Sequence, residues 1–166
     1  MQHNIDYTKY SSKKLIDYIV NTHHRYLWEE MPKLSKLTLK ILSVHGDKHP
    51  ILLEKVKSLY EALRKELEEH LKKEEEVLFP LMKSCEEAGE GKIKDNALEG
   101  IRSLRNEHES AGNILKELRK VTNDYEIPGD VCGTFAMTFA KLQEMERDIF
   151  AYIHLENNIL FKRYEE

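Results

Sequence analysis

Four stretches of roughly 30 residues repeat their apolar side chains at alternating intervals of three and four, a spacing that only packed helices can bury. The first carries Ile16, Val20, His24, Leu27, Met31, Leu34, Thr38 and Ile41, with Pro32 inside it predicted to kink the helix. The second carries Leu52, Val56, Leu59, Leu63, Glu66, His70, Glu74, Val77 and Leu81. The third carries Ala97, Ile101, Leu104, His108, Ala111, Leu115, Leu118 and Thr122. The fourth carries Val131, Phe135, Thr138, Leu142, Met145, Ile149, Tyr152, Glu156 and Ile159. Turn-rich breaks separate them at His45-Gly46-Asp47-Lys48-His49-Pro50, at 123–129, and more softly at Ala88-Gly89-Glu90-Gly91. Four stripes on short loops predict an all-α, up-down-up-down four-helix bundle, a single domain over residues 1–166. With only 7 Gly and 4 Pro in 166 residues, a loop-rich β-sandwich is excluded.

The seams also hold residues that do not belong in oil: His24, Glu66, His70, Glu74, His108, Tyr152 and Glu156. A buried imidazole or carboxylate costs several kcal/mol unless it is paired or metal-bound. A lone seam histidine is commonly a satisfied core residue, but here every helix has a polar seam residue. His70 and Glu74 stand four apart and project from one helix face.

The chain repeats itself as well. His70-x3-Glu74-x2-Val77-Leu78-Phe79 matches Tyr152-x3-Glu156-x2-Ile159-Leu160-Phe161. His24 lies 46 residues before the first copy and His108 lies 44 before the second. Each half is a helix with one histidine followed by a helix with a ligand-x3-Glu pair. Folded together, the halves converge their ligands inside the bundle, where Glu74 and Glu156 could each bridge two metals. Imidazole and carboxylate around a shared ion pair suit iron or manganese, and the lack of thiolate argues against structural zinc. The competing reading, a buried ladder of salt bridges, leaves the half-to-half repeat unexplained.

Charge and composition narrow the partners. A net charge of −4 argues against a nucleic-acid surface. No apolar run approaches the ~20 residues of a membrane helix, and the polar start Met1-Gln2-His3-Asn4 has no signal-peptide pattern. Cys85 and Cys132 are too few for a disulfide framework. The expected compartment is the cytoplasm. Cys132 opens the fourth helix, whose N-terminus could lower its pKa, although a small core residue is the simpler reading for it and for Cys85. His45 and His49 could bind a surface metal, against the plainer reading of a helix stop with solvated histidines.

At these residues the chain resembles the hemerythrin-like domain of the RIC family, di-iron proteins for the repair of iron centres. The stretches that carry the resemblance are 15–20 leading to His23-His24, the loop 44–50, His70 with Lys73-Glu74-Glu75 and Leu78-Phe79-Pro80, Glu107-His108, and Leu155-Glu156-Asn157-Asn158-Ile159-Leu160-Phe161. The family pattern implies iron ligation by His24, His70, Glu74, His108, Glu156 and a histidine four before Glu156. Position 152 is tyrosine instead, and the nearest histidine is His154. Three readings stay open: Tyr152 ligates as phenolate, Tyr152 stands by an open position filled by water, or a local bulge swings His154 inward. Glu66, one turn before His70, and Glu107, beside His108, are candidate catalytic residues as proton carriers or partners of the ligands, or else interhelical ion pairs. Asp148 is the counterpart of Glu66 in the repeat.

The resemblance implies repair of iron–sulfur clusters damaged by nitric oxide or oxidants. The di-iron site would act as iron donor or in nitric oxide chemistry, with iron–sulfur proteins as clients. Nitric oxide reductase or peroxidase-like turnover is a further option. The alternative is a hemerythrin-like module that binds or senses oxygen or nitric oxide without turnover.

Overall fold

The computed structural model describes residues 4–88 and 92–165, so the break read at Gly89-Glu90-Gly91 and the first three residues lie outside it. Among the described residues there are four long helical rods and no strands. The first rod comprises α1 (Ser12–Tyr18), a π-helical segment (Ile19–His24) and α2 (Arg25–His45). The second comprises α3 (Pro50–Lys73), a π segment (Glu74–Leu78) and α4 (Phe79–Ala88). The third is α5 (Lys92–Val121). The fourth comprises α6 (Gly133–Leu155), a π segment (Glu156–Leu160) and α7 (Lys162–Glu165). Neighbours in sequence are neighbours in space, because α2 packs on α3 and α6, and α5 packs on α3. This is the up-down-up-down order that short connections dictate.

Local chemistry accounts for the rod ends. Ser11 caps α1 by accepting from the Lys14 amide at 3.1 Å. Pro50 sits in the first turn of α3, where its missing N–H is harmless. After α5, Asn123, Asp124 and Tyr125 all take positive φ (50°, 59° and 59°), a run that is costly for non-glycine residues. Burial of the Tyr125 ring, edge-on to Phe139, offsets part of that cost.

Helix α2 continues through Pro32, and a π-helical segment lies upstream of it, at Ile19–His24. One expectation about the helices needs correction. The seam of the second rod shifts. Val77 is 63% exposed and Leu81 only half-buried, whereas Leu78 and Met82 are buried. A π segment adds a residue to one turn, so a strict α register falls one position short beyond it. The fourth rod repeats the slip, with Leu160 buried and Ile159 half-buried. In α3 the buried line runs through Leu53, Val56, Tyr60, Leu63, Leu67 and His70, which leaves Leu52, Leu59 and Glu66 beside the seam. All three π segments border the polar seam residues. The other half of the bundle is apolar, filled by Tyr60, Phe135, Phe139, Leu34 and Ile41.

Candidate metal centre

The π segments deliver the polar residues to one buried point. His24 closes the first, Glu74 opens the second and Glu156 opens the third. His70, Glu74, His108 and Glu156 each offer a ligand atom within 4.8 Å of the others. Glu74 faces both ways: Oε1 lies against His70 Nε2 and 3.8 Å from His108 Nε2, while Oε2 lies 2.9 Å from His24 Nε2. Glu156 Oε1 lies 3.0 Å from His108 Nε2. The Tyr152 ring stands among the imidazoles, 5.8 Å from His24, 6.3 Å from His70 and 6.0 Å from His108 between centroids.

The repeat read in the sequence recurs in these contacts. The residue after each glutamate anchors a histidine: His24 Nδ1 donates to Glu75 Oε1 at 3.1 Å, and His108 Nδ1 donates to Asn157 Oδ1 at 2.8 Å. Both rings are thereby turned with Nε2 toward the centre, the device by which a metal-binding histidine is oriented. Phe79 stacks on His24 and Phe161 stacks on His108, at 5.6 and 5.8 Å. The residues before the two histidines correspond as well. Glu107 Oε2 lies 3.8 Å from His70 Nδ1, and the His23 ring lies 6.1 Å from Tyr152.

Electrostatics break this symmetry. Burial alone would push the imidazoles down. Around His24 the Glu74 and Glu75 carboxylates outweigh it and hold the pKa up at about 9. Around His70 it is Glu74 and Glu107, to about 10, and around His108 it is Glu156 and Glu74, again to about 9. Glu74, facing three imidazoles, is held well below the usual carboxylate range despite its burial. Glu156 faces only His108 closely, and burial with the Glu74 charge pushes it up to about 7. The phenol at position 152 supplies no positive charge to offset this.

The protein's own groups leave the centre unsatisfied. Glu74 Oε1, both Glu156 carboxylate oxygens and the Tyr152 hydroxyl are buried without a hydrogen-bond partner. Glu74 Oε1 and Glu156 Oε1 approach imidazole nitrogens closely, but without hydrogen-bond geometry. His70 Nε2 and His108 Nε2 face each other at 3.1 Å, where at most one can donate. Buried polar atoms are ordinarily paired. Orphaned oxygens facing convergent imidazole nitrogens fit a cation bound by nitrogen and oxygen donors.

The comparisons with known proteins agree. A family model described as the hemerythrin HHE cation binding domain matches residues 15–164. The chain belongs to the hemerythrin HHE family. Among relatives of this hemerythrin domain, the iron-sulfur cluster repair protein ScdA of Staphylococcus epidermidis is 35% identical over 151 residues, 91% of this chain and 66% of its own. ScdA of Staphylococcus haemolyticus is 31% identical over 163 residues, 98% of this chain and 72% of its own. The iron-sulfur cluster repair protein YtfE of Citrobacter koseri is 33% identical over 150 residues, 90% of this chain and 64% of its own. The chain thus spans about two thirds of the length of the curated relatives it matches.

The structure brings His24, His70, Glu74, His108, Tyr152 and Glu156 together in the hemerythrin core. Glu107 stands just outside, paired with Lys73 at 2.9 Å. Glu66 is displaced: Leu67 takes the buried position, and Glu66 Oε1 accepts from Ser110 at 3.0 Å in a groove shared with Lys73 and Glu107. His154 is exposed, with Nδ1 2.7 Å from the Asn158 amide, so the π segment that follows does not swing it inward.

Sequence reasoning missed three partners of the hemerythrin histidines. Glu75 entered the sequence pattern only through the stretch Lys73-Glu74-Glu75, with no task of its own, yet it anchors His24 and accepts from the Trp28 indole at 3.4 Å. Asn157 had the matching place in the repeat as its only signal. His23 is buried and donates to Asp148 at 2.9 Å from within the first π segment.

Proposed function

We propose that this chain holds two iron ions at the centre and acts in the repair of iron–sulfur clusters damaged by nitric oxide or oxidants. The observation that carries the reading is the match of the whole ligand-bearing span to proteins named for iron–sulfur cluster repair. In this reading His70, His108, Glu74 and Glu156 would hold one iron, and His24 with Glu74 would hold the other beside Tyr152. The two-faced Glu74 carboxylate supports a bridging role. Bound iron would supply one-electron redox chemistry and coordination positions for small ligands such as nitric oxide or oxygen. The imidazole-rich donor set favours iron over manganese.

The surrounding residues have distinct tasks. Glu75 and Asn157 hold the imidazoles in the ligating orientation. Phe79 and Phe161 cover the rings and keep water from the centre. Glu107, with Lys73 behind it, lies between His70 and the surface groove, where it can pass protons to and from the His70 side. No described helix is long and apolar enough to cross a membrane. We place the protein in the cytoplasm with iron–sulfur proteins as its clients.

The test uses a [4Fe–4S] hydratase inactivated by a nitric oxide donor and incubated with iron-loaded protein. Recovery of hydratase activity, absent with iron-free protein and with Glu74→Ala, is the expected result. Isotopically labelled iron appearing in the client would identify donation. Equal recovery with and without the protein would overturn the reading.

A further inference from the structure

A second cluster of reactive groups lies at the far end of the bundle. His45 ends α2, 21 residues beyond His24, so about 1.5 Å of rise per residue places it roughly 30 Å from the metal centre. Its Nε2 lies 3.0 Å from the sulfur of Cys132, which is 87 residues away in sequence. Cys132 is exposed and occupies the N-cap of the 23-residue helix α6. The neighbouring pair is already matched, because His49 Nε2 lies 3.1 Å from Asp130 Oδ1. Both imidazoles stand edge-on to Phe135, at 5.5 and 6.1 Å, which fixes His45 toward the thiol. The titratable groups that meet at this corner are His45 at the end of α2, Lys48 and His49 from the loop after it and Asp130 from the segment before α6.

We propose that Cys132 and His45 form a nucleophile–base pair, a modification site that takes up low-molecular-weight disulfides. A nucleophile, a partner base within hydrogen-bond reach and a group that orients the base are the parts such a site requires. The His45 imidazole, and after it the backbone amides of Phe135 and Thr134, hold the thiol down to about 7. The other cysteine provides an internal contrast, since burial pushes the Cys85 thiol up.

The exchange balances without another reagent. The Cys132 thiolate attacks one sulfur of the disulfide, and a new S–S bond forms as the old one breaks. Cys132 is oxidised to the mixed disulfide, and the leaving thiolate is reduced and takes up, by way of His45, the proton that the Cys132 thiol gave up.

The experiment uses the full chain free of metal, so a failure of iron binding leaves it readable. Oxidised glutathione is the probe, and mass spectrometry of each cysteine peptide follows adduct formation between pH 5 and 10, with iodoacetamide alkylation run in parallel. The expected midpoint for Cys132 lies near pH 7, well below that of Cys85. At pH 7 the glutathione adduct should form roughly threefold faster than on an ordinary exposed thiol, because greater ionisation outweighs the lower nucleophilicity of an acidic thiol. His45→Gln should move the midpoint up by a pH unit or more. An ordinary midpoint near 8.5, a midpoint unmoved by His45→Gln, or no adduct on Cys132 would each overturn the proposal. The comparison with Cys85 in the unsubstituted protein needs no variant to fold.

Discussion

At position 152 a phenol stands where the internal repeat calls for the counterpart of His70, and this one exchange unbalances the charges of the centre. Glu74 has three imidazoles around it while Glu156 has one close by, and their pKa values part in opposite directions. Tyr152→His should restore a positive neighbour, bring Glu156 below about 7 and raise iron occupancy. Metal analysis and titration would read both effects, and no change in either would take this position out of the ligand set. Tyr152→Phe removes a buried hydroxyl that has no partner. It should leave the metal-free protein as stable or about 1 kcal/mol more so in denaturant unfolding. With ferric iron, the unsubstituted protein should show a broad phenolate-to-iron band that Tyr152→Phe lacks. Glu75→Ala and Asn157→Ala free the ring orientation of His24 and His108, and each should weaken metal binding by about 10–100-fold in competition with a chelator.

The element that decides where the ligands point is the π segment, and it is also where helical periodicity misleads. In the second rod, apolar residues at Val77, Leu78 and Leu81 leave both an α register and a shifted one open to the eye. The extra residue in the turn resolves this by burying Leu78 and exposing Val77. Leu78→Ala should therefore cost about 2–5 kcal/mol, whereas Val77→Ala should change stability by under about 0.5 kcal/mol. Equal costs in thermal or chemical unfolding would mean an uninterrupted α-helix. The same geometry accounts for His23. In the first rod the π segment buries two consecutive histidines, one toward Glu74 and one toward Asp148, which a plain α-helix would separate by about 100°.

For the molecule as a whole, the cluster makes metal-free stability depend on pH. His24, His70 and His108 have folded pKa values raised from 6.5 to about 9, 10 and 9. Their contribution is fully present below pH 6.5 and is lost as pH rises through 9 to 10. Glu156, raised from 4.5 to about 7, acts in the same direction, because folding favours its protonated form. Glu74 is depressed, so its contribution is present above pH 4.5 and lost on acidification. The melting temperature of metal-free protein should peak near pH 5–6 and fall toward pH 9. A flat profile over that range would show that the cluster is not assembled without metal. Bound cations replace the imidazole protons, so the loaded protein should lose most of the alkaline decline. The sequence by itself determined the bundle, its order and the polar positions on its seams, because seam periodicity and an internal repeat are properties of spacing along the chain. It also contained Glu75, Asn157, Phe79 and Phe161 as repeat partners, although spacing does not say what each touches. Only the tertiary structure decided the register beyond the π segments, the exclusion of Glu66 and His154 from the centre, and the meeting of His45 with Cys132. Each of these depends on how one helix is rotated against another, which packing of the whole bundle sets and no local pattern encodes.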